Sequence, residues 1–195
     1  MKVGPGESPH IRRLRADYES MLELKGRSAL IDFEVVEQRP GMPPEKYIVS
    51  YGCRGIASID ASGNPEYSYL HKVAIYLHQQ YPNRAPGLKW LTPIWHPNIH
   101  HATKDVCIDA TWWAASRSLD MLVIMIGEMV KYKNYHDENI PPFPLDKEAA
   151  SWSREYRRKH ADCFPVDDRE LLRPQRIGLK LTSDQKKPPI RLKQP

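Results

Sequence analysis

Long hydrophobic runs and cysteine are both scarce in this sequence, and each scarcity excludes a class of protein. No run of about 18 apolar residues is present, so a membrane-spanning helix is not expected. Residues 1–15 lack the apolar core of a secretory signal peptide, so secretion is not expected either. Three well-separated cysteines, Cys53, Cys107 and Cys163, cannot form a closed disulfide set. These features predict a protein of a reducing, cytoplasmic compartment.

Acidic residues are scarce at the C-terminal end. Between Leu171 and Pro195 seven basic residues stand against one acidic residue, Asp184, so this segment carries +6 while the whole chain carries +5. The basic charge therefore belongs to the tail, and a basic nucleic-acid-binding surface on the domain itself is not expected. The tail also contains apolar residues that favour docking to a partner, namely Leu171, Leu172, Ile177, Leu179 and Leu181.

Apolar residues at steps of three and four predict an N-terminal helix. The pattern runs from Ile11 to Leu22, with Ser8 as N-cap and Gly26 as the stop, so the predicted helix spans Pro9 to Lys25. A basic face of this helix is formed by Arg12, Arg13 and Arg15. A solvated face and a docking face are equally good interpretations of these arginines.

Alternating apolar residues predict four strands, at residues 29–37, 46–56, 69–77 and 88–91. Their short links favour an antiparallel meander. A second helix is predicted to begin at Ser118 or Leu119 and, being apolar on nearly all sides, to be buried. A third is predicted from Asp146 to about His160. The expected organisation is one α+β domain over residues 1–160 and a basic, proline-rich extension over residues 161–195.

The segment between the fourth strand and the second helix has no clean period and is dense in polar and reactive residues. In chain order it contains His96-Pro97-Asn98, Cys107, Asp109 and Trp112-Trp113, and Tyr81-Pro82 stands before the fourth strand. This order resembles the core of the ubiquitin-conjugating enzymes, and the resemblance covers roughly residues 9–158. It implies the fold of that family: an N-terminal helix, a four-stranded antiparallel meander, an irregular active-site segment and two or more C-terminal helices.

The resemblance implies that Cys107 carries an acyl group. A cysteine suits this task because sulfur is strongly nucleophilic near neutral pH, and because exchange between two thioesters is nearly isoenergetic. In the family, the residue at Asn98 is a candidate to stabilise the oxyanion of the transition state, and the alternative is that it braces the loop. His96 and Pro97 are expected to support the turn that aims Asn98.

The other cysteines and the histidines have simpler interpretations. Cys53 and Cys163 are expected to be buried hydrophobic residues. A metal site is not expected, because the spacing of four possible ligands matches no recurrent zinc pattern: His96, His100, His101 and Cys107. No cofactor is expected, since ATP would be used by the activating enzyme upstream. Trp112 and Trp113 are expected to pack as core and lid.

Three positions depart from the family pattern. Asn83 replaces an aromatic residue and Ala114-Ala115-Ser116 replaces Ser-Pro-Ala, which makes recognition by ordinary RING ligases doubtful. Phe143 stands where the family has an acidic or serine gate, so Asp137 or Glu138 is expected to assist the acceptor instead. These departures predict a divergent bacterial member of the family, acting in a bacterial ubiquitin-like system.

The resemblance therefore predicts a thioester carrier. Cys107 would accept a ubiquitin-like protein from an activating enzyme and pass it to a lysine or another amine of a protein acceptor. Arg12, Arg13 and Arg15 would contact the activating enzyme. The main alternative is a catalytically inactive scaffold of the same fold that binds a ubiquitin-like protein or a partner. A nucleic-acid-binding module would rest on the tail alone.

Overall fold

The computed structural model describes residues 7–108 and 113–173. Its elements are α1 (Pro9–Arg27), β1 (Ile31–Glu37), β2 (Lys46–Tyr51), β3 (Gly55–Ile59), β4 (Pro65–Ser68), β5 (His71–Tyr76), β6 (Gly87–Trp90), α2 (Leu119–Val130), α3 (Lys147–Lys159) and a 3₁₀ turn (Ala161–Cys163). The α+β fold with an N-terminal helix, a four-stranded antiparallel sheet and C-terminal helices is confirmed. Asp109, Trp112 and the basic tail beyond Arg173 lie outside the described residues.

Helix α1 begins where the sequence predicts and ends later. The Ser8 side chain accepts a hydrogen bond from the Ile11 N–H, and Pro9 occupies the first turn. The helix continues past Gly26, and Ser28 closes it by donating its N–H to the Leu24 carbonyl. Leu22, predicted on the apolar face, is 48% exposed. Among the described helices none is both long and apolar enough to cross a membrane.

The four-stranded sheet has the order β1-β2-β5-β6, with antiparallel neighbours throughout. The strand predicted at 46–56 is in fact two, because the chain leaves the sheet after Tyr51 and forms the β3–β4 hairpin before β5 returns. Gly55 lies at this departure, where a Cβ atom would come within 2.7 Å of both the His71 ring and a Val130 methyl group. The hairpin therefore packs against the end of α2 at a distance that only glycine allows.

Helix α2 is the buried centre of the domain. The predicted stripe of Leu122, Ile126, Met129 and Val130 is buried, and so are Leu119 and Val123 on other sides of the helix. Its first N–H, on Leu119, donates to the carboxylate of Asp17 in α1 at 3.0 Å. A helix N-terminus leaves such donors without intrahelical partners and favours negative charge. Asp17 therefore caps α2 from another helix.

Residues 161–173 belong to the packed domain, so the folded region continues beyond residue 160, where the sequence placed the boundary. Val166 donates its N–H to the Lys131 carbonyl, and the buried Lys131 ammonium donates to the Arg169 carbonyl at 2.6 Å. Leu171 is 2% exposed and lies in the main core, so its predicted role as a partner-docking residue is wrong. It fills the space beside Gly127 of α2.

Candidate active site

A tight turn at His96-Pro97-Asn98 organises the irregular segment. His96 is fully buried, and its Nδ1 accepts a hydrogen bond from the Asn98 N–H at 3.1 Å. The Ile99 N–H closes the turn on the His96 carbonyl at 3.1 Å. The Pro97 carbonyl accepts the N–H groups of Leu145 and Asp146, at the start of α3. The His96 side chain thus makes a hydrogen bond to the backbone of the turn, as expected, while its part in the activity stays a prediction.

Asn98 connects the two sides of the site. Its carbonyl accepts the Cys107 N–H at 2.9 Å, which fixes the backbone of the cysteine. Its side-chain amide pairs twice with the backbone of His136: Nδ2 donates to the carbonyl at 3.0 Å, and Oδ1 accepts the N–H at 2.9 Å. The bracing alternative for Asn98 thus has direct support. An amide nitrogen carries two hydrogens, however, and His136 accounts for one.

Cys107 lies beside a small cavity of about 70 Å³ and is itself partly exposed. The cavity is also lined by Asn98, Ile108 and two methionines of α2. The loop that follows α2 contributes Asn134, His136 and Phe143 to the lining. The site therefore combines a thiol, an amide and an imidazole around one cavity open to solvent.

The predicted carboxylates do not line this cavity. Asp137 is buried at 6% exposure, and its carboxylate pairs with the Arg157 guanidinium of α3 at 3.0 Å. Glu138 is exposed on the same loop. His136, one residue earlier, is the titratable loop residue that reaches the cavity. His136 was not predicted at this place, because spacing alone does not show which of several consecutive loop residues lines a cavity beside a distant cysteine.

The other cysteines differ from Cys107 in their surroundings. Cys53 is fully buried, as predicted, and burial raises the pKa of its thiol to about 12. It is therefore a poor nucleophile at neutral pH. The prediction that Cys163 is buried is wrong: this residue ends the 3₁₀ turn, where its side chain is exposed. Neither residue is among the described groups that line the cavity beside Cys107.

Tyr81 and its neighbours anchor the segment that follows the active site. The Tyr81 hydroxyl donates to the Asp17 carboxylate at 2.5 Å, and burial raises the pKa of Tyr81. The Trp113 indole donates to the Pro82 carbonyl at 2.9 Å and packs on the Tyr81 ring, consistent with its predicted packing role. The Arg13 guanidinium binds Asp17, Tyr81 and the carbonyls of two residues near the start of α2, Ala115 and Arg117.

The three arginines of α1 therefore differ in their partners: Arg13 binds groups inside the domain, whereas Arg12 and Arg15 both contact Glu7. Arg13 is engaged on the inner side of the helix and holds the 113–118 segment, so it does not form part of an open docking face. Arg15 is partly buried and pairs with the Glu7 carboxylate at 2.5 Å. Arg12 is exposed and donates to the Glu7 carbonyl at 3.3 Å.

The histidines considered as metal ligands do not converge on Cys107. His100 and His101 stack on each other, and both lie near Asp146 at the start of α3. The Asp146 carboxylate accepts hydrogen bonds from the His101 ring and N–H and from the Ala149 N–H. Hydrogen bonding, led by the His101 backbone, outweighs burial and lowers the pKa of Asp146. This cluster attaches α3 to the turn that follows the His96-Pro97-Asn98 motif.

His96 makes the stability of the domain depend on pH. Burial lowers its pKa from 6.5 to about 3, so the folded protein keeps this histidine neutral while the unfolded chain takes up a proton below about pH 6.5. The free energy of unfolding should therefore be fully retained above pH 6.5 and fall as the pH drops toward 3. One such group changes it by up to ~1.4 kcal/mol per pH unit, or about 2 kcal/mol between pH 6.5 and 5.

Urea unfolding of wild type and His96→Asn between pH 7.5 and 5 measures this contribution. Asparagine retains an acceptor for the Asn98 N–H but does not titrate, so the variant should have the flatter profile. The exposed His160 provides the control, and His160→Gln should keep the wild-type slope. Equal slopes for wild type and His96→Asn would contradict the prediction.

Similarity to known proteins indicates which family this chain belongs to. A model described as ubiquitin-conjugating enzyme matches residues 61–164, more than half of the chain, and the match contains the turn, Cys107 and all of α3. The chain belongs to the ubiquitin-conjugating enzyme family. Among curated members, it is 25% identical over 133 residues to ubiquitin-conjugating enzyme E2 21 of Caenorhabditis elegans, covering 62% of this chain and 61% of that one.

A second member, ubiquitin-conjugating enzyme E2-23 kDa of Triticum aestivum, is 29% identical over 83 residues, covering 41% of this chain and 42% of that one. The chain thus spans less than two thirds of the length of both curated relatives. The solved structure of S. cerevisiae Ubc12 aligns with a TM-score of 0.56 at 20% identity, covering 82% of this chain and 78% of that one.

A structure described as a ubiquitin-conjugating enzyme from Plasmodium yoelii aligns with a TM-score of 0.54 at 18% identity, covering 82% of this chain and 93% of that one. These structural matches show the shared fold. All four of these family members come from eukaryotes, so the prediction of a bacterial-type member is not supported and is withdrawn.

Proposed function

We propose that this chain is an active ubiquitin-conjugating enzyme, with Cys107 as the thioester carrier. One observation carries the proposal. A partly exposed cysteine lies at a cavity, its N–H is held by the Asn98 carbonyl, and the Asn98 amide reaches the opposite wall. The cavity is small, which suits the flexible end of a polypeptide and a single amine rather than a bulky substrate.

Charging is a thioester exchange. The Cys107 sulfur attacks the carbonyl carbon of the thioester that joins a ubiquitin-like protein to its activating enzyme. A new carbon–sulfur bond forms at Cys107, the old one breaks, and the released thiolate takes up a proton. Transfer then forms a carbon–nitrogen bond to an acceptor amine and returns the electron pair of the carbon–sulfur bond to Cys107.

Asn98 fits both interpretations drawn from the sequence. One hydrogen of its amide is used by the His136 carbonyl, and the second is the candidate donor to the oxyanion of the tetrahedral intermediate. Because the amide is already held at two points, it would need no reorganisation when the negative charge develops. We therefore infer that bracing and oxyanion stabilisation are performed by the same fixed group.

The partners of this activity follow from the proposed chemistry: an activating enzyme, a ubiquitin-like protein and a protein acceptor. Arg12 on the exposed side of α1 is the favoured contact for the activating enzyme, whereas Arg13 acts inside the domain. Asn83 and Ala114 are exposed at the two loops that differ from the family pattern. Recognition by a RING ligase is not part of the proposal.

A charging assay tests the proposed function. The full chain is incubated with activating enzyme, ubiquitin-like protein and ATP, and then separated on gels with and without reductant. A higher band that reductant removes is the expected result, since thioesters are cleaved by thiols. No such band with any of a panel of activating enzymes and their cognate ubiquitin-like proteins would contradict the proposal.

A non-catalytic scaffold is the second candidate function, and one observation favours it. The described lining of the cavity contains no carboxylate, and Phe143 occupies the gate position. A scaffold would bind a ubiquitin-like protein non-covalently, and its binding would survive replacement of Cys107. Binding without charging would select this alternative.

Asn98→Ala is expected to weaken both stability and transfer. The variant removes two partly buried hydrogen bonds to the His136 backbone, each of which contributes about 0.5–1.5 kcal/mol. Loss of an oxyanion donor slows the reaction by about 10²–10³-fold. The measurement is discharge of a purified thioester to free lysine, at a temperature where the variant is folded by circular dichroism. Discharge at the wild-type rate would show that Asn98 braces the loop and does not stabilise the oxyanion.

A further inference from the structure

We propose that His136 accepts the proton from the incoming amine when the Cys107 thioester is transferred. This inference rests on the proposed function, because it assigns a role within the transfer step. His136 and Cys107 line the same cavity, with Asn98 between them. The lining of the cavity thus includes a histidine, in a chain that has Phe143 where the family pattern has an acidic or serine gate.

The backbone of His136 is held in place with unusual completeness for a loop. Both its N–H and its carbonyl pair with the Asn98 side chain, at 2.9 and 3.0 Å. Asn98 is 1% exposed and also fixes the Cys107 backbone. One residue therefore holds the backbones of both Cys107 and His136.

The His136 ring is oriented and still accessible. It stacks on Phe143, with ring centroids 4.4 Å apart and planes 22° apart. Neither ring nitrogen of His136 has a hydrogen-bond partner among the described residues. His136 is exposed to solvent, so an acceptor amine approaching the cavity can reach it. Phe143, which replaces the gate, becomes the support of the histidine that acts in its place.

The neighbouring carboxylates are less suited to this role. The Asp137 carboxylate is committed to Arg157 and Ser153 on α3, away from the cavity. Glu138 is exposed, but it is not among the described residues that line the cavity. A histidine is also suited to the task, because a neutral imidazole has one ring nitrogen that can accept a proton.

The proton balance of the step is complete with this group. The neutral amine attacks the thioester carbonyl, a carbon–nitrogen bond forms, and the nitrogen becomes positively charged. The free ring nitrogen of His136 takes one proton from it as the carbon–sulfur bond breaks and the electron pair returns to Cys107. The imidazolium then releases its proton to the thiolate or to solvent.

A single-turnover discharge assay with His136→Gln tests the inference. The substitution leaves the hydrogen bonds from Asn98 intact, because they involve the backbone of residue 136. Purified thioester, freed from activating enzyme and ATP, is mixed with free lysine or with hydroxylamine. Hydroxylamine is much less basic than lysine, so the nitrogen that becomes positively charged on its attack loses its proton readily to water and needs little help from a base. We expect discharge to lysine to slow by about 100-fold, while charging and discharge to hydroxylamine keep their wild-type rates.

Chemical rescue separates a proton acceptor from a structural residue. His136→Gly leaves space for added imidazole, which should restore much of the rate to lysine and leave the Asn98→Ala rate unchanged. Wild-type discharge of His136→Gln to lysine, equal slowing with both nucleophiles, or no rescue by imidazole would overturn the inference. A loss of discharge to lysine that occurs in Glu138→Gln and not in His136→Gln would also overturn the inference. If no thioester forms at all, the proposed function itself fails, and this inference fails with it.

Discussion

Cys107→Ala is expected to abolish charging completely, while the domain remains folded. The cysteine is partly exposed at the cavity and its N–H, which the substitution retains, carries the hydrogen bond to the Asn98 carbonyl. Alanine removes the sulfur and leaves the backbone unchanged. Because alanine has no nucleophile, no slower covalent route remains. The reductant-sensitive band should therefore disappear from the gel. The circular dichroism spectrum of the variant should match that of the wild type.

The other two cysteines are the matched controls for this prediction. Cys163 is exposed but lies on the 3₁₀ turn after α3, so Cys163→Ala should charge at the wild-type rate. Cys53 is buried and its thiol pKa of about 12 keeps it protonated, so Cys53→Ala should lower stability without removing the band. A band that persists in Cys107→Ala and disappears in Cys163→Ala would show that Cys163, and not Cys107, carries the thioester.

Asp17→Ala is expected to cause the largest loss of stability. Asp17 is 1% exposed, and its carboxylate accepts hydrogen bonds from the Arg13 guanidinium, the Tyr81 hydroxyl and the Leu119 N–H. Alanine leaves all three donors without this acceptor, and one of them is charged. Removing one partner from a buried ionic network typically costs about 3–5 kcal/mol. Urea unfolding at pH 7.5 measures the change in the free energy of unfolding.

Asp32→Ala provides the surface control for this measurement. Asp32 also pairs with a cation, the Lys25 ammonium at 2.6 Å, but both side chains are at least half exposed. An exposed pair of this kind contributes no more than about 1 kcal/mol. A cost for Asp17→Ala as small as that for Asp32→Ala would show that the network does not connect α1 to α2. The charging assay would then show whether the active-site segment still folds.

The local elements were predictable because they depend on residues close together in the chain. Ser8 and Pro9 mark the start of α1, and Asp146 caps α3 by accepting the Ala149 N–H, as its place in the sequence indicates. The end of α1 was missed, because Gly26 is only a local stop signal. The helix continues two residues beyond the predicted end, to Arg27, and the Ser28 hydroxyl that follows donates to the Leu171 carbonyl at 2.5 Å, a contact across 143 residues.

The candidate site was predictable in its motif and not in its surroundings. The order of His96, Asn98 and Cys107 is a property of the sequence, and the fold brings all three together as expected. The sequence favours Asp137 or Glu138 as the loop residue that assists the acceptor, whereas His136 is the residue of the three that lines the cavity. A loop has no helical or strand period, so no pattern in the sequence states which of its side chains turns inward.

The sequence by itself determined most of the helices and strands and the family of this protein, and it marked Cys107 as the candidate nucleophile, because periodicity, capping and motif order depend on neighbouring residues. The tertiary structure alone decided that Arg13 points inward, that Leu171 joins the core, and that His136 faces the cavity. Each of these outcomes depends on contacts between residues far apart in the chain. The pairing of His136 with Asn98, 38 residues away, exists only once the sheet, α2 and the active-site turn have packed together.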